Sequence, residues 1–198
     1  MATFYHIARP TNPVWNLART LVFVAIWSAV VVWGLPLGIV QVEHNANFDV
    51  PGFQELPVIG LALVIAGSLL VFWAAVTMAL AGYGTPATFA APRRLVVTGP
   101  YAWFRNPMVV GTLVQGVGLG ALYGSLPVLL LFAGGALLWN LLRRRDDEDE
   151  LQRVFGREFE LYRRSVRCWL PMRKRWSPPP GTSPISYAEL HRRRHHRR

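Results

Sequence analysis

Two groups of charged and polar residues flank the apolar residues 107–142. Arg105 and Asn106 come directly before Pro107, and five consecutive acidic residues occupy positions 146–150. Because Pro107 suits the first turn of a helix, the side chains of Arg105 and Asn106 and the unpaired N–H groups of that turn are available to bind an anionic group. The acidic block supplies carboxylates that Arg105 or a cationic group would pair with.

A plainer interpretation assigns no ligand to either group. Arg105 would then contact lipid headgroups and help to set the membrane topology, and the acidic residues would be the solvated start of a helix. Two observations favour a site. Five of the eleven acidic residues of the chain lie in this one block, and acidic residues beside a membrane contribute little to topology.

The composition of the chain predicts a membrane protein of the all-α class. Of its 198 residues, 52% are hydrophobic and 16% are charged, whereas soluble domains carry about 25% charged residues. The apolar residues lie in long blocks, and a helix needs about 20 residues to cross a bilayer. Four blocks therefore qualify as transmembrane helices, at residues 17–42, 56–80, 107–123 and 126–142.

The last two predicted helices form a tight hairpin, since only Gly124 and Ser125 separate them. Its two arms are of near-equal length, so the chain leaves the hairpin close to where it entered. We therefore expect Arg105 and the acidic block to be neighbours at one membrane face, with residues 98–101 in the loop that joins them.

Small and polar residues inside the apolar blocks predict helix contacts. Gly116 and Gly120 continue to Gly124 at four-residue spacing, which lets helix backbones approach closely. We expect this packing within the hairpin rather than between two chains. Gln115 is expected to hydrogen-bond to a neighbouring helix, and the step at residues 34–36, which contains a proline, to kink the first helix.

The distribution of basic residues predicts the orientation of the helices. Residues 43–55, between the first two helices, include no Arg or Lys, whereas basic residues occur before the first helix, between the second and third, and after the fourth. Basic segments stay in the cytoplasm, so we predict a multi-pass protein of the cell membrane with both termini cytoplasmic. The first apolar block is too long for a cleaved signal peptide, and no small-x-small cleavage site follows it.

An amphipathic pattern follows the fourth predicted helix. Apolar residues recur every three to four positions, which predicts one amphipathic cytoplasmic helix, or two broken at Gly156, lying on the membrane or on the helical bundle. The stripe consists of Leu151, Phe155, Phe159, Tyr162, Val166 and Trp169.

The predicted organisation is a cytoplasmic segment at 1–16, a transmembrane hairpin at 17–81, a cytoplasmic loop at 82–106, a second transmembrane hairpin at 107–142, a helical segment at 143–176 and a disordered basic tail at 177–198.

The charge of the chain predicts its partners. The formal net charge is +10, and basic segments beside apolar helices favour anionic lipids. No nucleic-acid-binding motif is present. The histidines of the terminal HRRRHHRR have no standard metal-site spacing, so we predict a lipid-binding tail and no metal site. Cys168 is the single cysteine, so no intrachain disulfide is possible.

Residues 84–171 resemble the isoprenylcysteine carboxyl methyltransferase and phospholipid methyltransferase superfamily. Its first motif, Arg-His/Asn-Pro-x-Tyr-x-Gly, corresponds to RNPMVVG at 105–111. Its second motif, a Glu-Glu pair shortly before Leu-x-x-x-Phe-Gly, corresponds to Asp147 and Glu148 ahead of LQRVFG at 151–156. Val109 stands where the motif has Tyr, and Asp147 where it has Glu. Members are integral membrane enzymes that use S-adenosylmethionine.

The resemblance implies an S-adenosylmethionine site that the segment 143–176 covers. Arg105 would bind the carboxylate of the cofactor bidentately, and Asp147 or Glu148 would pair with its ammonium or its ribose hydroxyls. Tyr101, Trp103 or Tyr162 would face the sulfonium through a cation–π contact. The other implied binding residues are Gly99, Asn106, Pro107 and Gly111.

The implied catalytic residues are Arg105, Asn106 and Arg143. Arg143 lies four residues before Asp147 on the same helical face, so it would orient that carboxylate or bind an acidic acceptor. The implied reaction is methyl transfer to a hydrophobic acceptor that enters from the bilayer and presents a carboxylate, a thiol or a lipid amine. The alternative is a non-catalytic membrane scaffold or lipid-binding protein with a decayed methyltransferase site, as Val109 would suggest.

Overall fold

The computed structural model describes residues 12–47, 55–82 and 94–179, and these residues form helices and no β-strand. The predicted all-α class is therefore confirmed for this part of the chain. The α-helices are α1 (Pro13–Trp27), α2 (Leu35–Asn45), α3 (Pro57–Ala81), α4 (Pro107–Tyr123), α5 (Leu126–Leu138), α6 (Arg144–Phe155) and α7 (Arg157–Ser165). Two π-helical segments, Ser28–Gly34 and Trp139–Arg143, and a 3-10 turn at Gly99–Ala102 lie between them.

Three helical runs are long and apolar enough to cross a membrane, namely Val14–Asn45, Pro57–Ala81 and Leu126–Phe155. Each carries large apolar side chains that are exposed on its surface, which water disfavours and lipid accommodates. The chain is accordingly a multi-pass membrane protein. Helix α4 is also apolar but has 17 residues, the lower limit for a span, so the fourth span stays a prediction.

The first helical run continues past Pro36 without ending. Proline lacks an N–H and its ring crowds the carbonyl four residues earlier, which disrupts an α-helix. The π-helical segment Ser28–Gly34 precedes it directly, and the N–H of Leu35 donates to the carbonyl of Val30, five residues back. This wider turn accommodates the proline inside one continuous helix.

The fourth predicted span does not end at Leu142. The chain stays helical from α5 through the π-helical segment Trp139–Arg143 into α6, which ends at Phe155. Residues 136–155 include no Gly or Pro, so nothing in the local sequence breaks the helix. The acidic block therefore lies on a helix that is continuous with the preceding apolar one.

The chain forms two compact units. Unit 1 comprises the described residues of Met1–Phe23, Trp73–Pro107 and Arg144–Arg198, and unit 2 comprises those of Val24–Phe72 and Met108–Arg143. In unit 1, α6 and α7 bury their apolar stripe against the segment that precedes the 3-10 turn. The buried residues of this core are Leu95, Val97, Phe155, Phe159, Tyr162 and Val166. Gly156 separates the two helices with a φ of +57°, so two helices broken at Gly156 are confirmed.

In unit 2, α3 and α4 approach each other through glycines that are seven residues apart on each helix. A Cβ added to Gly60 would lie 2.7 Å from the carbonyl oxygen of Gly118, and one added to Gly67 would lie 2.6 Å from that of Gly111. Both distances are too short for a side chain, so the two backbones are in direct contact. The sequence analysis did not anticipate this contact with α3.

The expected packing inside the α4–α5 hairpin is also present. A Cβ on Gly116 would overlap the ring of Phe132, and one on Gly120 would lie 3.1 Å from Cβ of Leu129. The predicted interhelical hydrogen bond of Gln115 is confirmed, since its Nε2 donates to Oγ of Ser68 on α3 at 2.8 Å.

The turn between α4 and α5 is fixed by its two residues. Gly124 has a φ of +60°, which glycine adopts without strain. Oγ of Ser125 accepts a hydrogen bond from the N–H of Val128 at 3.1 Å, an N-cap of α5. The same hydroxyl donates to Oε2 of Glu43 on α2 at 2.5 Å. The hairpin that the sequence predicted from Gly124 and Ser125 is therefore also tied to the first helical run.

We expect Gly118→Ala to destabilise the protein, because the added Cβ would lie 2.7 Å from the backbone nitrogen of Val64. Overpacking of this kind costs about 1–3 kcal/mol, so the thermal unfolding temperature in detergent should fall. Gly134→Ala is the matched control, since nothing lies within 4 Å of the added atom. Equal unfolding temperatures for the two variants would contradict the close α3–α4 contact.

Candidate functional site

Arg105 and Glu148 form an ion pair in unit 1. Nη1 of Arg105, in the loop before α4, donates to Oε1 of Glu148, on α6, at 2.6 Å. The two side chains expose only 15% and 18% of their surface, so water screens the pair weakly. Nη1 of Arg163, on α7, lies 3.8 Å from the other carboxylate oxygen of Glu148. Glu148 therefore faces two guanidinium groups.

The loop that carries Arg105 begins with a tight turn. Gly99 opens the 3-10 turn with a φ of +58°, and a Cβ at this position would lie 2.7 Å from Oγ1 of Thr77. Glycine is required here both by this φ and by the lack of room for a Cβ beside Thr77. Pro100, Tyr101 and Ala102 of the turn are buried, so the path of the chain toward Arg105 is fixed.

The C-terminal segment 167–176, which we call the strap, holds this loop by backbone hydrogen bonds. The N–H of Arg105 donates to the carbonyl of Arg167 at 2.9 Å. The N–H groups of Met172 and Trp176 donate to the carbonyls of Trp103 and Ala102 at 3.2 and 3.0 Å. Three bonds thus join the strap to residues 102–105, and the backbone of Arg105 is itself one of the partners.

Tyr162 of α7 binds the same loop from inside the core of unit 1. Its hydroxyl donates to the carbonyl of Tyr101 at 2.7 Å and lies 3.4 Å from that of Phe104. Its ring packs against those of Phe159 and Trp176, with centroids 6.4 and 5.3 Å away. Burial raises the pKa of Tyr162, so the hydroxyl keeps the proton that it donates. These contacts give Tyr162 a packing role, and its contact with a sulfonium stays a prediction.

Several buried donors close to this ion pair are not used within the described residues. Nε of Arg105, Nε of Arg144 and the hydroxyl of Tyr101 are buried and have no hydrogen-bond partner there. Leaving a buried donor unpaired costs about 1–3 kcal/mol. Two of the three belong to guanidinium groups, so an anionic group with oxygen acceptors is the ligand that would satisfy them best.

Cys168 lies near two guanidinium groups. Burial raises the pKa of its thiol, which the nearby positive charges of Arg105 and Arg144 partly oppose. Both arginines therefore lie close to the sulfur, and the thiol is the neutral form at neutral pH. A neutral thiol is a weak nucleophile, so Cys168 lines the cluster without the properties of a catalytic cysteine.

The other residues that the sequence predicted for the site range from buried to exposed. Pro107 is buried at the start of α4, Asn106 is partly exposed, and Asp147 is partly buried on α6. Gly111 packs against α3, where its added Cβ would lie 2.7 Å from Cγ2 of Val71. Arg143 is exposed at the end of its π-helical segment. The structure thus joins Arg105 with Glu148 and gives Gly111 a packing role, and the ligand roles of all these residues stay predictions.

Sequence reasoning missed Arg144, Arg163 and the strap. Arg144 is the neighbour of the predicted Arg143, and the burial of its Nε did not follow from the pattern of charges. The pairing of Arg143 with Asp147 stays a prediction. For the strap, no local signal indicates that residues 167–176 return to the loop before α4.

The fold is that of a multi-pass helical membrane protein, and an ion pair joins the loop before α4 to helix α6. A sequence profile of the phospholipid methyltransferase family matches residues 56–158, just over half of the chain. The chain belongs to this family, which confirms the resemblance found in the sequence.

Two curated proteins are similar to part of the chain. Protein-S-isoprenylcysteine O-methyltransferase of Schizosaccharomyces pombe is 34% identical over 80 residues, and the protein of that name from Homo sapiens is 32% identical over 82 residues. The matches cover 39% and 40% of this chain and 33% and 28% of the relatives. The chain thus matches about a third of the length of these relatives.

We expect Tyr162→Phe to loosen the loop that carries Arg105, because it removes the hydroxyl and keeps the ring packing. The loss of this hydrogen bond should lower the free energy of unfolding by about 1 kcal/mol. Hydrogen exchange of the amides of residues 101–105 should also become faster. Tyr123→Phe, at a partly exposed tyrosine of α4, is the control. A similar effect of both substitutions would contradict the role of the Tyr162 hydroxyl.

Proposed function

We propose that the chain transfers a methyl group from S-adenosylmethionine to an acceptor that resides in the membrane and presents a carboxylate. The observation that carries this proposal is the Arg105–Glu148 ion pair beside two buried guanidinium Nε–H groups that have no partner among the described residues. Membership of the phospholipid methyltransferase family supports methyl transfer as the reaction.

The residues at the site fit the groups of this cofactor. Arg105 would bind the cofactor carboxylate through its unpartnered Nε–H. Glu148 and the neighbouring Asp147 offer carboxylates for the ammonium or the ribose hydroxyls, and Tyr101 offers a buried hydroxyl. When bound, S-adenosylmethionine supplies an electrophilic methyl group on a sulfonium.

The residues of the chain align the reactants and exclude water. Glu148 holds the guanidinium of Arg105 in one orientation through the 2.6 Å ion pair, and the strap and Tyr162 fix the backbone on either side. Positioning of this kind is a major source of rate enhancement when two molecules react by direct displacement. The buried tyrosines of the 3-10 turn and of α7 keep the surroundings apolar.

The protonation states at the site favour a carboxylate as acceptor. A carboxylate, with a pKa of about 4, is ionised at neutral pH and needs no base, whereas a lipid ammonium must first lose a proton. Burial raises the pKa of Tyr101, Tyr162 and Cys168, so all three hold their protons at neutral pH. The described residues of unit 1 include no histidine. Arg144 would pair with an anionic acceptor through its Nε–H.

The proposed reaction takes place at the cytoplasmic face of the cell membrane, with both termini in the cytoplasm. The basic residues that flank the apolar helices support this orientation. An acceptor with an apolar tail would remain in the bilayer while its carboxylate reaches the loop before α4, and the cofactor would enter from the water.

We expect the purified protein to bind S-adenosylmethionine in calorimetry, and Arg105→Ala and Glu148→Gln to weaken the binding. A hydrogen bond to a charged group contributes about 1.5–3 kcal/mol, so the Kd should rise roughly tenfold to a hundredfold. Arg153→Gln removes an ion pair of a 70% exposed arginine and should leave the Kd unchanged. If the unsubstituted protein fails to bind, the decayed-site alternative is favoured; if both variants bind normally, the assigned roles are wrong.

The chemistry of the product separates the acceptor classes. Membranes that contain the protein are incubated with methyl-labelled cofactor, and the labelled lipid-soluble product is treated with alkali. We expect volatile labelled methanol, because a methyl ester is cleaved by hydroxide and an N-methyl or S-methyl group is not. Membranes with the Arg105→Ala variant provide the background. Label that survives alkali would contradict the carboxylate acceptor and leave methyl transfer itself intact.

A further inference from the structure

We propose that the strap, residues 167–176, binds an anionic bilayer surface through Arg167, Arg173, Lys174 and Arg175, and that this contact stabilises the loop that carries Arg105. The proposal concerns an interaction surface and its partner, and it does not depend on the reaction proposed above.

The charge of the strap is not balanced within the described part of the chain. Its four basic side chains are exposed, and none lies within 4.0 Å of a carboxylate of the described residues. Residues 161–179 include no Asp or Glu at all. Among the described residues, this surface therefore has no anionic partner.

Other arginines of unit 1 differ in this respect. Arg153 pairs with Glu150 at 3.2 Å, and Arg164 pairs with Glu160 at 2.7 Å. Both are more than two-thirds exposed, so exposure alone does not prevent pairing. The acidic residues of α6 and α7 thus neutralise arginines of these helices and leave the cations of the strap for an external anion.

The strap also exposes an apolar side chain among its cations. Leu170 exposes 61% of its surface, and Trp169 beside it is partly exposed. Cations interspersed with Leu and Trp are typical of segments that lie at a lipid headgroup layer, where the apolar groups enter the acyl boundary. A soluble anion such as phosphate makes no apolar contact that would bury Leu170, so the pattern favours a bilayer.

The strap lies close to the start of an apolar helix. It hydrogen-bonds to residues 102–105, and Pro107, two residues after Arg105, begins the apolar helix α4. The strap therefore lies next to the point where the chain passes from a charged loop into an apolar helix. An anionic leaflet at this level attracts nearby Lys and Arg side chains, and the attraction falls off within a Debye length.

Backbone hydrogen bonds couple lipid binding by the strap to the stability of the loop that carries Arg105. A partner that binds only the ordered strap shifts the equilibrium between the ordered and the locally opened strap toward the ordered state. The three backbone hydrogen bonds to residues 102–105 form only when the strap is in place. Anionic lipid should therefore reduce local opening of both segments, including the N–H of Arg105.

The test compares the full chain in nanodiscs of phosphatidylcholine with the full chain in nanodiscs that also contain phosphatidylglycerol. Hydrogen exchange is measured for peptides that cover residues 102–106 and 167–176. We expect slower exchange of both peptides in the anionic discs, by about fivefold or more, which corresponds to the attraction of a single basic residue. The difference should shrink in high salt. Equal exchange rates in the two kinds of disc would overturn the proposal.

A charge-matched pair of variants locates the effect. The combined substitution of Arg167, Arg173, Lys174 and Arg175 by Gln should abolish the response to phosphatidylglycerol. The control replaces four exposed arginines outside the strap, Arg145, Arg153, Arg157 and Arg164, by Gln, and should keep the response. If the strap variant keeps it, the lipid acts elsewhere, for instance on the basic residues 191–198, and the proposal is wrong. If both variants lose the slowing of exchange by phosphatidylglycerol, the effect depends only on net charge, and the proposal is also wrong.

Discussion

The ion pair between Arg105 and Glu148 is the constraint on which the site depends. Its partners lie 43 residues apart in the sequence and expose less than a fifth of their side-chain surface. Water screens such a pair less than an exposed one, so each charge stabilises the other. The pair therefore joins helix α6 to the loop before α4 within unit 1.

The surrounding contacts hold the backbone of Arg105 rather than its side chain. Gly99 sets the turn, the hydroxyl of Tyr162 binds the carbonyl of Tyr101, and the strap binds residues 102–105. None of these contacts uses the Nε of Arg105, which has no partner among the described residues. Several contacts therefore fix the backbone near Arg105, while its Nε–H has no partner among the described residues. A preorganised ligand site combines a fixed backbone with an available binding group in this way.

The parts of this arrangement that follow local chemistry were predictable from the sequence. Pro107 and the pair Gly124–Ser125 gave the bounds of α4 and the start of α5, because proline at a first turn and glycine before an N-cap act within a few residues. The apolar stripe that begins at Leu151 was recognised by its period, and the break between its two helices at Gly156 by the residue type. What the stripe packs against, Leu95 and Val97, is a contact over some 60 residues, which no local pattern specifies.

The predicted faces of helix α6 show a second limit, which is geometric. A spacing of four residues indicates a common face only on a regular α-helix, and the π-helical segment Trp139–Arg143 interrupts that regularity just before the acidic block. A π-type turn bonds over five residues instead of four, so the faces of α6 cannot be extrapolated from α5. The four-residue relation of Arg143 to Asp147 begins inside the π-helical segment, so the predicted pairing of these two residues stays a prediction.

The charge balance of the pair also suits the ligand of the proposed reaction. A zwitterion brings one carboxylate and one ammonium, so Arg105 and Glu148 can each take a partner of opposite sign without a change in the net charge of the site. Arg163, which lies 3.8 Å from Glu148, keeps that carboxylate paired if Arg105 turns toward a ligand. An isolated anion would satisfy Arg105 and leave Glu148 to Arg163 alone, at a distance where their attraction is weaker. The same electrostatics that hold the ion pair together thus favour a ligand with both charges over one with a single charge.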